Sequence, residues 1–388
     1  MTLDSLLKIM VSKKASDLFV TSGVAPSLKI NGSVMPISRN RLSAMQTRKL
    51  VFELMTKHQR NEFEGNRECN FAINRAGIGR FRVNVFQQQN HTGMVIRRIE
   101  TSIPTFAQLG LPPMLKKLAM AKQGLVIVAG TTGSGKSSTQ AALVGHRNRN
   151  SLNHIVCIED PIEYVHEPAG CIITQREIGI DTESVEAALV NSLRQAPDVV
   201  VIGEIRTREV MEHAIAFADA GHLCLATLHA NNTVQAIERI INLFGNNRRQ
   251  QVLMDLSLNL RAVVAQRLVP TIGQSGLSPA VELLHTSPLV ASTLQKGDIH
   301  LLKDVIRKSS QYGMKTFDDD LYDLYSNGKI SREDAIHNAD SPNDVRLMIR
   351  FGGKQDAASL YSALDGVTLL DLQGHRQPRN DNWRQPLK

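Results

Sequence analysis

The stretch Gly130-Thr-Thr-Gly-Ser-Gly-Lys-Ser137 matches the pattern G-x-x-x-x-G-K-[ST] without a mismatch. Glycines at 130, 133 and 135 let the backbone curl until successive N–H groups face phosphate oxygens. The candidate phosphate-binding set is therefore Gly130, Thr131, Thr132, Gly133, Ser134, Gly135, Lys136, Ser137 and Ser138. An ammonium at Lys136 reaches β- and γ-phosphates, and the Ser137 hydroxyl is a ligand for Mg²⁺. Together these residues are built to bind a nucleoside triphosphate. Carboxylates follow at the ends of apolar runs. Asp198-Val-Val-Val-Ile-Gly-Glu204 closes on Glu204, placed to hold Mg²⁺ or its water, or to serve in catalysis. Glu159, Asp160 and Glu163 crowd the end of another run, where they repel one another unless a metal ion or arginines compensate. Glu159 and Asp160 join Ser137 and Glu204 as candidate Mg²⁺ holders, partly through water. One of the acids is a candidate base or water-orienting group, and which one stays open. His229 stands just past a further apolar run, where it is either a γ-phosphate sensor or a structural histidine.

These groups need a scaffold that brings strand ends together. Leu125–Ala129, Ile155–Ile158, Val199–Ile202 and Leu223–Thr227 are apolar on both faces and alternate with helical segments. Such strands suit a mostly parallel sheet covered by helices on both sides, with ligands beyond the carboxyl ends of the strands. Short helices are expected over about 288–337. Residues 1–100 read differently, as a small α+β domain. Leu3, Leu6, Leu7 and Met10 recur at helical spacing. Strand-like pieces follow at Asp17–Thr21, Ser27–Ile30 and Ser33–Pro36, the last two joined by Asn31-Gly32. A helical stretch is expected over about 43–63, and alternating strands at Cys69–Arg75, Gly79–Gln88 and Gly93–Ile99. The expected organisation is a first domain over 1–100, a Pro/Gly-rich linker over 101–113, a nucleotide-binding domain over 114–345, and an extension over 346–388 that is flexible at its end.

The whole sequence of 388 residues carries 45 basic and 37 acidic side chains, a net charge of +8. No Lys/Arg block with interleaved aromatics accompanies that charge, so no nucleic-acid partner is expected. Cys69, Cys157, Cys171 and Cys224 lie far apart with no Cys-x-x-Cys pair, which excludes that kind of zinc or redox site. No apolar run approaches the ~18–20 residues of a membrane helix. Asp4, Lys8, Lys13 and Lys14 interrupt any signal-like N-terminus, so a soluble, cytoplasmic protein is expected.

The phosphate loop, Glu-Asp-Pro-Ile-Glu-Tyr (159–164), Leu-Arg-Gln-Ala-Pro-Asp (193–198) leading into Val-Ile-Gly-Glu-Ile-Arg (201–206), and Thr-Leu-His-Ala-Asn (227–231) are more specific together than the loop alone. In combination they resemble the secretion-ATPase superfamily, and within it the type IV pilus retraction (twitching motility) ATPases of the PilT/PilU group. The likeness runs to about residue 345 and includes Gly79-Arg-Phe-Arg-Val-Asn84. It implies a PAS-like first domain, a RecA-like second domain and a hexameric ring with ATP between subunits. It also implies roles: Glu159, Asp160 and Glu163 as an acidic box, Glu204 as the Walker B acid, His229 as the histidine box. Arg80, Arg82 and Arg97 become arginines that approach the nucleotide from the first domain. Read from the residues alone, strand-face arginines bridging surface acids are the alternative.

One departure stands out. After Ala280-Val-Glu-Leu-Leu284, PilT-type members carry a short Ala-Ile-Arg-Asn-Leu-like retraction motif, whereas Pro288-Leu-Val-Ala-Ser-Thr-Leu294 has no arginine. That substitution and the long C-terminal extension resemble the accessory, PilU-type branch. The implied partners are a PilT-type ATPase and an inner-membrane pilus platform protein, and the implied location is the inner face of the cytoplasmic membrane at the pilus base. The competing functions are a pilus-assembly or type II secretion ATPase, many of which carry a Cys-x-x-Cys insertion absent here, a nucleotide-gated scaffold with little turnover, and a DNA-translocating motor.

Overall fold

The computed structural model describes residues 2–352, apart from 31, 100, 101 and 275. The Asn31 half of the expected hairpin turn and the tail Gly374–Lys388 therefore lie outside the described residues. Two sheets organise the chain. The first is antiparallel, built from β1 (Asp17–Val20), β2 (Ser27–Ile30), β3 (Ser33–Pro36), β4 (Glu68–Arg75), β5 (Gly79–Gln88) and β6 (His91–Ile99), in the order β3-β2-β1-β6-β5-β4. The alternation of Phe81, Val83 and Val85 sends those side chains into a core shared with Leu3, Leu6, Leu7 and Met10 of the opening helix. The stretch 43–63 is two helices, Ala44–Leu54 and Lys57–Asn66. Met55 leaves helical geometry, and a capping box between Thr56 and Gln59 starts the second helix.

The second sheet contains β7 (Gly124–Ala129), β8 (His154–Glu159), β9 (Ile172–Glu177), β10 (Val199–Ile202), β11 (Leu223–Leu228), β12 (Leu260–Pro270) and β13 (Leu277–His285), in the order β13-β12-β7-β11-β10-β8-β9. All neighbours are parallel except β12 and β13. Strand periodicity splits β7 between two cores: Leu125, Ile127 and Ala129 enter one, Val126 and Val128 the other. This is why the central strands read as uninterrupted apolar runs. The helix Lys136–Asn150 covers one face together with Phe106, Leu111 and Leu115, so part of the Pro/Gly-rich segment packs on this sheet. The helices Arg208–Asp219 and Thr233–Phe244 and the C-terminal group cover the other face. That group comprises Pro288–Lys296, Leu302–Lys308, Phe317–Ser326, Arg332–His337 and Pro342–Phe351. All four cysteines are buried and unbridged. Among the described residues, no helix is long and apolar enough to cross a membrane.

Candidate active site

β7 delivers the chain into the glycine-rich loop, and the helix Lys136–Asn150 leaves it. Gly135 caps that helix at φ 89° without any side-chain cap, so the first-turn N–H groups stay available. The dihedral requires glycine there, and a Cβ would also have to displace the Gln266 amide, whose Nε2 would lie 2.8 Å away. The Lys136 ammonium rests on its own loop, donating to the carbonyls of Gly130 and Thr131 at 2.9 Å each. Burial lowers its pKa, an effect the carboxylates of Glu204 and Glu163 oppose. Among the described residues the buried Ser134 hydroxyl has no hydrogen-bond partner. A loop with free amides, an orphaned hydroxyl and an ammonium held only by carbonyls fits the oxygens of a phosphate chain.

The acids arrive from the neighbouring strands. β8 and β10 are adjacent and parallel, so Glu159 and Glu204 end side by side over the same cleft. Gly203 permits this closeness, since a Cβ there would lie 3.2 Å from Glu159 Cα. Glu204 accepts from Arg206 Nε at 2.7 Å, and the same guanidinium reaches Asp160 at 3.4 Å. Glu159 accepts from Gln175 Nε2 at 2.9 Å, and burial raises its pKa to about 7. Burial and Arg149 push His166 down to about 4, a neutral imidazole at the cleft wall. Ser138 shares a 2.7 Å hydrogen bond with the Tyr164 hydroxyl. The cleft encloses about 510 Å³ and is lined by Gly133, Lys136, Ser137, Glu159, Asp160, Glu163, Glu204 and Arg206, among others.

The loop, the three acids at 159–163 and Glu204 are thus gathered on one cleft, while other candidates lie apart. His229 is exposed just beyond β11 and does not line the cleft, whereas Thr227 does and donates to the Gly203 carbonyl. No residue of the first sheet lines the cleft either. Arg80 and Arg82 lie on the face of β5 opposite Phe81 and Val83, and Arg97 pairs directly across from Arg82. The three arginines share the outer face of the first sheet. Arg97 is held by the buried Asp17 at 2.8 Å, which offsets the repulsion of facing arginines. Residue patterns missed Arg206 and Gln175 as partners of the acids. Arg206 stands two residues beyond Glu204 with no pattern that assigns it a partner, and Gln175 sits on the unforeseen strand β9.

A parallel sheet with a phosphate loop after β7 and carboxylates at the tips of its neighbours defines a P-loop ATPase, and the chain belongs to the type II/IV secretion system protein family, which matches residues 1–287. It is a homologue of the PilU-type pilus ATPases. It is 56% identical to the type IV pilus ATPase PilU of Pseudomonas aeruginosa, over 95% of this chain and 97% of that one. Identity to the type IV pilus retraction ATPase PilT of the same organism is 35%, over 89% of this chain and 100% of that one. A crystal structure of the pilus retraction motor PilT with bound ADP matches with a TM-score of 0.84 at 35% identity, covering 90% of this chain and 100% of that one.

Proposed function

We propose that this chain forms a ring, expected to be a hexamer, and hydrolyses ATP to drive type IV pilus retraction as the accessory partner of a PilT-type ATPase. The observation that carries this reading is a phosphate loop and four acids gathered on one cleft, in a chain whose output segment is altered. The helix Pro288–Lys296, where the resemblance puts the retraction motif, contains no arginine. The proposed location is the cytoplasmic side of the inner membrane, against the pilus platform protein.

Within the cleft, Lys136 leaves its loop carbonyls for the β- and γ-phosphates. Ser137, with Glu204, Glu159 and Asp160 through water, would hold Mg²⁺, which when bound neutralises phosphate charge. Four carboxylates line the cleft at 159, 160, 163 and 204 against the cations Lys136 and Arg206, so a triphosphate needs that added charge. Glu163 or Glu204 orients the attacking water. Arg80, Arg82 and Arg97 supply guanidinium charge from another chain of the ring, and His229 faces the γ-phosphate once that interface closes.

The reading is tested in cells that lack every PilT-type protein. Pili there should extend but not retract, and adding a PilT-type ATPase should restore retraction with more force than it gives alone. Retraction driven by this chain alone would overturn the accessory role.

A pH profile tests Glu159. Its pKa is raised to about 7 by burial, so the carboxylate form is gained as pH rises through 7. kcat/KM, which reports the free enzyme, should climb between about pH 6 and 8 and level off above. Glu159→Gln should flatten this limb. A limb of unchanged midpoint in the variant would assign it to another group.

A further inference from the structure

Arg267, near the end of β12, is tied to three separate parts of the second domain. Its guanidinium donates to the Asn338 carbonyl at 2.6 Å and to the Asn231 carbonyl at 3.2 Å, and it pairs with Asp340. It also lies 4.1 Å over the ring of Phe317, so its plane is fixed as well as its charge. Asn231 belongs to the loop that leaves β11 and carries His229, whereas Phe317, Asn338 and Asp340 belong to the C-terminal part of the chain. Lys303 binds the same Asp340 at 3.1 Å and lies 3.9 Å from Asp318, but among the described residues neither of these pairs involves the loop after β11.

The neighbouring residue faces the other way. Gln266 accepts from Thr139 Oγ1 at 2.7 Å, on the helix that follows the phosphate loop. Successive strand residues point to opposite faces, so β12 holds the phosphate-loop helix with Gln266 and the C-terminal part with Arg267. A second hollow of about 310 Å³ lies behind the phosphate loop, between Thr131–Ser134 and Asn231, Arg267 and Asn338.

We propose that Arg267 is a positioning residue for ATP hydrolysis: its forked guanidinium fixes the loop after β11 against the C-terminal helices, and so sets where the end of that loop stands beside the phosphate loop. The proposal rests on reading Gly130–Ser137 as the phosphate loop. Arg267 touches no substrate in it. It acts through the backbone of Asn231, which only a planar, multidentate donor can hold together with Asn338 and Asp340. A lysine there keeps a charge for Asp340 but cannot span both carbonyls.

The test compares Arg267→Met, Arg267→Lys and Lys303→Met in the full chain, with steady-state ATPase kinetics and hydrogen–deuterium exchange. Arg267→Met should lower kcat about tenfold with the ATP KM within about twofold, because the phosphate-binding groups are untouched. Exchange should rise at residues 229–232 and stay unchanged in β7. Arg267→Lys should keep most of the kcat loss, and it serves as the informative variant if methionine fails to fold. Lys303→Met, which weakens the same acidic cluster without touching the loop, should leave kcat within about twofold. Equal kcat loss in Lys303→Met, full activity in Arg267→Lys, or unchanged exchange at 229–232 would each overturn the proposal. If the phosphate-loop reading is itself wrong, Lys136→Ala keeps near wild-type turnover, an outcome that does not depend on the Arg267 variants.

Discussion

Lys136→Ala should all but abolish ATP hydrolysis while leaving the chain folded. Among the described residues the ammonium's hydrogen bonds go to the carbonyls of Gly130 and Thr131, so its loss empties no apolar core. What disappears is charge stabilisation where the transferring phosphoryl group spreads its own. A preorganised contact of that kind is worth roughly 3–4 kcal/mol, or about 10²–10³ in kcat. The check is steady-state turnover beside a thermal melt. Near wild-type rates in a verified variant would remove the glycine loop from the chemistry, and a collapsed melt would show that the lysine holds the loop together.

Glu204→Gln should bind ATP with near-normal affinity and turn over at least about a hundredfold more slowly. The amide preserves shape but removes the negative charge next to Arg206, 2.7 Å away, and toward the metal and water side of the cleft. The freed guanidinium keeps Asp160 as a partner, so the wall of the cleft should persist. Nucleotide binding by equilibrium titration, paired with single-turnover hydrolysis, separates the two effects. Loss of ATP binding together with loss of Mg²⁺ dependence would make Glu204 a structural carboxylate.

Much of this site is legible in the sequence because its groups sit at the ends of continuous apolar runs. The loop at 130–137 and the acids at 159–163 and 204 are local patterns, and parallel pairing of β8 with β10 needs only that buried strands lie side by side. The sheet edges are another matter. β12 follows the helix Arg249–Asn259 with no glycine or proline between them, and Gln266 and Arg267 break its apolar run. β9 is an edge strand reading Ile172-Ile-Thr-Gln-Arg-Glu177, with Ile172 exposed, so it carries no alternation to read. The unbroken helix expected over 43–63 overlooked Thr56 and Gln59, a capping signal present in the residues themselves. Pairings such as Glu159 with Gln175, Arg97 with Asp17 and Arg267 with Asn231 depend on tertiary placement, and no spacing rule exposes them.

In the proposed shared site, the cleft of one chain, which no described first-sheet residue lines, would be completed by Arg80 and Arg82 of another. Mixing two inactive variants tests it most directly. Lys136→Ala chains keep the arginines, and Arg80→Ala/Arg82→Ala chains keep the phosphate loop. Once subunits exchange within a ring, about a quarter of the sites in an equal mixture should pair a sound loop with sound arginines. The expected result is ATPase activity recovering toward that fraction on mixing, with neither variant active alone. An equal mixture that stays inactive after verified subunit exchange, or an arginine variant that is fully active by itself, would contradict the shared site.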